Sequence, residues 1–100
     1  YPPFAALCVL RFSGEDDRAV YGTAAAACGR LRQLQDSAVE VLGPARAEMP
    51  KLNNKYRWVI TLKGRHREEL TTFLARWTDH GKMLKKIRGR TSLSISFDGR

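Results

Sequence analysis

Apolar residues fall in three patterns along this chain, and each predicts a different element. Ala5 to Phe12 is a near-continuous apolar run ending at Ser13 and Gly14, which fits a strand buried on both faces or lying in the centre of a sheet. Ser13 can then cap a helix whose first turn holds Glu15, Asp16 and Asp17, acids placed where the positive end of the helix dipole favours them. Val20, Ala24, Ala27, Cys28, Leu31 and Leu34 recur at helical spacing and give that helix one apolar stripe. Gly22 and Gly29 oppose it, each at a cost of roughly 1 kcal/mol relative to alanine.

AVEVLGP, residues 38–44, predicts a short second strand stopped by Gly43 and Pro44, and the following ARAEMPKLNNK reads as a loop punctuated by Pro50 and Asn53-Asn54. A third strand begins at Tyr56 with strict alternation. Tyr56, Trp58, Ile60 and Leu62 share one face, and Arg57, Val59, Thr61 and Lys63 share the other. After Gly64, the spacing of Leu70, Phe73, Leu74 and Trp77 predicts a second amphipathic helix ending by Gly81. A basic stretch leads into a fourth strand, TSLSISFD, with Leu93, Ile95 and Phe97 inward and Ser92, Ser94 and Ser96 outward.

The order βαββαβ predicts an α+β, ferredoxin-like sandwich: a four-stranded, mainly antiparallel sheet with both helices on one face. The other face is then open. By parity it displays Arg57, Val59, Thr61, Lys63, the three serines, and either Leu7, Val9 and Arg11 or their neighbours.

One hundred residues, 43% of them hydrophobic, suffice for a single domain over 1–100 with a modest core. The chain opens YPPFAALCVL, without initiator methionine, basic n-region or long apolar stretch, so neither a signal peptide nor a membrane span is expected. It reads as a piece of a longer protein. Cys8 and Cys28 lie within apolar runs, without metal-ligand spacing, and read as reduced, buried thiols in a cytosolic setting; sequence leaves open whether they meet.

The formal net charge of +8 is unevenly spread. Pro44 to Arg90 holds 13 Lys and Arg against 4 Asp and Glu, whereas Tyr1 to Gly43 holds 4 against 5. Lys51, Lys55, Arg57, Lys63, Arg65 and Arg67 bracket the third strand, and Lys82, Lys85, Lys86, Arg88 and Arg90 precede the fourth. Such clusters suit phosphates or an acidic peptide; the plainer reading is a solvated basic rim. Base stacking by Tyr56 and Trp58 is disfavoured because their parity turns Trp58 toward the helices, with Tyr56 at the strand's edge.

No Walker loop, G-x-G-x-x-G, H-E-x-x-H or G-x-S-x-G is present, so catalysis by this chain is not expected. His66 and His80 read as solvated helix-end residues. Glu68 and Glu69 are adjacent, about 100° apart on a helix, and do not form a carboxylate dyad.

The motifs together carry a family likeness. YPPF at the start, VLGPARAEMPKLNNKYRWVITLKG in the middle and RTSLSISFDG at the end resemble, in that order, the C-terminal domain of the bacterial replication-restart helicase PriA. The likeness spans nearly the whole chain, with residues 1–4 resembling the junction to the helicase core.

It implies a parent that recognises abandoned forks and D-loops, unwinds DNA from 3′ to 5′ with ATP and reloads the replisome in the cytoplasm, at the nucleoid. The implied partners are branched or single-stranded DNA, the acidic C-terminal tail of the single-stranded DNA-binding protein, and other primosome proteins. ATP, magnesium and zinc would belong to other domains of the parent, with no cofactor in this one. Departures from the family pattern are Lys55 for arginine, Val59 for glutamine, Arg46 for proline, and Ser96 with Gly99 where D-x-D-P is frequent. Lysine at 55 keeps a charge but lacks the bidentate fork of arginine.

The expected DNA contact surface is therefore Lys51, Lys55, Arg57, Lys63 and Arg65 with the cluster Lys82, Lys85, Lys86, Arg88 and Arg90. The expected partner-binding residues are Lys55, Tyr56 and Arg57. A docking module that packs on the helicase core and takes an acidic tail is the rival reading, and a ribosomal-type RNA-binding domain is a weaker third.

Overall fold

The computed structural model describes residues 6–35, 38–52, 55–78 and 91–99. In chain order these form β1 (Ala6–Gly14), α1 (Asp17–Leu34), β2 (Val39–Leu52), β3 (Lys55–Gly64), α2 (Arg67–Thr78) and β4 (Ser92–Gly99). The strands make one antiparallel sheet in the order β2-β3-β1-β4. This is the expected βαββαβ, ferredoxin-like fold. The expected junction at 1–4 and the stop at Gly81 lie outside the described residues.

β1 lies between β3 and β4, and its side chains alternate between buried and half-buried along its whole length. Ala6, Cys8, Leu10 and Phe12 face the helices. The register places Leu62 opposite Cys8 and Ile60 opposite Leu10, so one continuous face meets the stripes of α1 and α2. Val20, Ala24, Ala27, Cys28 and Leu31 of α1 are buried there, as are Leu70, Phe73, Leu74 and Trp77 of α2. Both helical stripes are those that the spacing predicts.

Several boundaries differ from the sequence reading. Ser13 and Gly14 remain in β1, and the cap of α1 is Asp16, whose side chain accepts from the Arg18 N–H at 3.1 Å. The reason is competition: pairing of Ser13 with Arg57 and of Gly14 with Tyr56 extends β1, and Asp16 caps as well as serine. At α2, the Glu69 carboxylate accepts from the N–H groups of Arg65 and His66, both at 3.1 Å. That is the glutamate half of a capping box, and it gives Glu69 a structural task.

β2 is the largest correction. It does not stop at Gly43 and Pro44 but runs to Leu52, taking up the stretch read as a loop. Register shifts between Leu42 and Ala45 and between Arg46 and Lys51 absorb the irregularity. β2 is an edge strand, where a proline without an N–H is tolerated, and Gly43 supplies a positive φ of 116° that other residues rarely adopt.

On β4, Leu93, Ile95 and Phe97 take the helix side as expected, opposite Phe12, Leu10 and Cys8. Ile95 is nevertheless 39% exposed, because the helices pack mainly over β1, β2 and β3. Cys8 and Cys28 are both free and buried.

Candidate nucleic-acid interface

The face of the sheet away from the helices is set by the register. Lys63 lies between Leu7 and Glu40, Thr61 between Val9 and Leu42, and Val59 between Arg11 and Ala45. Arg57 lies opposite Ser13. On the far side of β1, Ser92, Ser94 and Ser96 stand opposite Ser13, Arg11 and Val9. Of the alternatives open for β1, the structure therefore selects Leu7, Val9 and Arg11, and the open face is the expected one.

The face is not uniform. Leu7, Val9, Leu42 and Val59 make a half-buried apolar patch toward β2, whereas Arg11, Ser13, Arg57, Ser92, Ser94 and Ser96 are polar and run toward β4. Arg11 bridges strands by donating from Nη1 to Ser96 Oγ at 2.7 Å. Arg11 lies in the half of the chain with the small net charge, so a count of clustered cations overlooks it. Its position at alternate parity within an apolar run is the signal that marks it.

The residues expected to make contact are dispersed. Arg57 and Lys63 are half-buried on the open face and separated along β3 by roughly 20 Å, at about 3.4 Å per residue. Lys55 and Arg65 are exposed at opposite ends of that strand. Lys55 borders a cavity of about 510 Å³ whose walls include Ser13, Glu15, Asp16, Thr91 and Ser92, so carboxylates share its surroundings. Lys51 pairs with Tyr56 in the β2–β3 register, and Tyr56 is half-buried on the helix side. Lys82, Lys85, Lys86, Arg88, Arg90 and His80 lie outside the described residues.

Trp58 occupies a separate assembly on the helix side. Its indole packs against the core edge with the Tyr21 ring at 4.7 Å and an interplanar angle of 60°, and the Arg46 guanidinium lies 4.6 Å from its centroid. Asp17 closes the group: it accepts from Trp58 Nε1 at 2.8 Å and from Arg46 Nη2 at 2.9 Å. Those bonds, Arg46 first and Trp58 second, hold the Asp17 carboxyl below its ordinary range. The indole is thus engaged by protein groups, in agreement with the parity argument against a stacking platform. Sequence alone does not pair Trp58 with Tyr21 or Asp17.

Burial pushes the Cys8 thiol up to about 11, which suits a core residue rather than a nucleophile. Among the described residues no group of three or more His, Cys, Asp or Glu is placed to hold a metal ion. Nor is any described helix long and apolar enough to cross a membrane.

Comparisons with known proteins bear on this geometry. The family model described as the primosomal protein N C-terminal domain matches residues 1–100. The replication restart protein PriA of Synechocystis sp. is 38% identical over 63 residues, which make up 63% of this chain and 8% of that protein. Among solved structures, the de novo designed protein Foldit4 superposes with a TM-score of 0.65 at 12% identity, covering 95% of this chain and 97% of that one. A de novo designed protein with a ferredoxin fold gives 0.58 at 10% identity, with 97% and 85% covered. A dimeric ferredoxin-like protein from an uncultured marine organism gives 0.54 at 15% identity, with 96% and 95% covered. At such identities the structural likeness is one of fold.

Proposed function

The chain belongs to the family of PriA C-terminal domains, and from that premise we propose that it holds branched or single-stranded DNA against the core of a replication restart helicase. In this reading residues 1–100 are one domain of a longer cytoplasmic protein, and ATP, magnesium and zinc serve other domains. The observation that carries it is the sheet face that neither described helix covers, with Arg57 and Lys63 along β3, set in the half of the chain that holds the cationic excess. Lys55 and Arg65, exposed at the two ends of β3, extend that surface, and the proposal also takes in Lys51 and the cluster from Lys82 to Arg90 on their charge alone.

Backbone phosphates attract such a surface without sequence choice, and the bound counterions they release make binding salt-dependent. With about five phosphate contacts to a single strand, affinity should fall about a hundredfold between about 50 and 200 mM salt. Fluorescence anisotropy of the chain with forked and single-stranded oligonucleotides measures this. A flat salt response, or no binding, would sink the reading.

A second reading is favoured by the apolar patch of Leu7, Val9, Leu42 and Val59 on the same face. There the domain docks on the helicase core and offers Lys55, Tyr56 and Arg57 to the acidic tail of the single-stranded DNA-binding protein. Lys55→Glu with Arg57→Glu separates the two when DNA and an acidic tail peptide are titrated in parallel. Loss of the peptide with DNA binding intact favours docking.

A further inference from the structure

The polar part of the open face has an order of its own. Ser92, Ser94 and Ser96 form a column along β4, Ser13 and Arg11 form a second along β1, and Arg57 stands beside Ser13 on β3. Ser92 and Ser94 are exposed. Among the described residues Arg11 donates to Ser96 Oγ, a neutral acceptor that leaves its charge uncompensated. The rows of Ser92, Ser94 and Ser96 hold no acidic residue on β1 or β4, whereas the next row sets Asp98 of β4 opposite Leu7 and Lys63 opposite Glu40.

From this arrangement we infer that the strip is a track for the phosphodiester backbone of a single nucleic-acid strand, lying along β4 and β1 with Arg11 as its central anchor. Guanidinium and hydroxyl donors are the groups that phosphate oxygens take. Same-face residues recur every ~6.7 Å along a strand, a step comparable to that between successive phosphates of an extended single strand. The strip is about 5 Å across from β1 to β4, which suits one backbone rather than the two that a duplex presents. It carries no aromatic side chain, so it orients a strand without reading its bases. The inference rests on the DNA-binding reading but moves the central contact from the β3 cations to a residue outside their clusters.

The test uses the full chain, a labelled oligothymidylate and a duplex of matched length. Arg11→Ala should weaken single-strand binding about tenfold and flatten the salt slope by about 0.7, while Arg11→Lys retains most of the affinity. Ser94→Asp places a carboxylate on the exposed column and should weaken binding at least as much with thermal unfolding unchanged; it decides the matter if Arg11→Ala does not fold. If both variants bind as the unsubstituted chain does while Lys63→Ala and Lys55→Ala weaken binding, the track is refuted and the DNA reading stands. If the unsubstituted chain binds no DNA, both fall. An equal or larger loss on the duplex overturns the single-strand assignment.

Discussion

Trp58 is tied to three side chains distant in sequence: Tyr21 and Asp17 on α1 and Arg46 on β2. The indole therefore joins the start of α1 to β3 and to the edge strand β2. Trp58→Ala should cost about 2 kcal/mol in urea unfolding, less than for a fully buried tryptophan because the site is partly open. Asp17 adds a dependence on pH. Its folded carboxyl lies below the ordinary 3.8, so the stabilisation is complete above that value and is lost as the pH falls through the folded one. Asp17→Asn should lower the Tm at neutral pH, and the gap to the unsubstituted chain should close on acidification below 3.8. A gap that persists in acid would mean that charge is not the source. The side on which Trp58 lies was legible from the alternation of KYRW, but its partners were not, since no local rule links positions on three elements.

Among the elements, the strongly periodic segments are legible in the sequence and the punctuated one is not. α1, α2 and β3 announce themselves by spacing alone, and only their ends moved. β2 carries Gly43, Pro44 and Pro50, which locally argue for a loop, yet β3 offers a long partner and the edge position forgives the missing donors. Gly43 is the hinge of that compromise. A Cβ there would meet Val59 O at 2.9 Å in a backbone conformation with φ of 116°, so Gly43→Ala should destabilise by about 3 kcal/mol. Gly22 has the opposite sign. A Cβ at that position meets nothing within 4 Å, so Gly22→Ala should stabilise α1 by about 0.5–1 kcal/mol. Chemical denaturation of the two variants checks both signs.

For the whole molecule, both described helices pack on one side of the sheet and build one core there. Cys8 and Cys28 report on that core. Cys8 is wholly buried with its thiol pushed up to about 11, and Cys28 donates to Gly43 O at 3.0 Å. Neither should react with a thiol reagent at neutral pH until the chain unfolds, and both should then react together. Modification of one thiol at the native rate of an exposed cysteine would show that its part of the core opens separately. The amino-acid order by itself determined the succession of elements, the two helical stripes, the faces of β3 and β4, and the segregation of charge, because period and composition act within a few residues. Only the tertiary structure decided that β2 runs on past its prolines, that Trp58 is held by Asp17, Tyr21 and Arg46, and that Arg11 stands beside a column of serines. Those are pairings across the sheet and between layers, and a pairing depends on where two segments meet rather than on what either one contains.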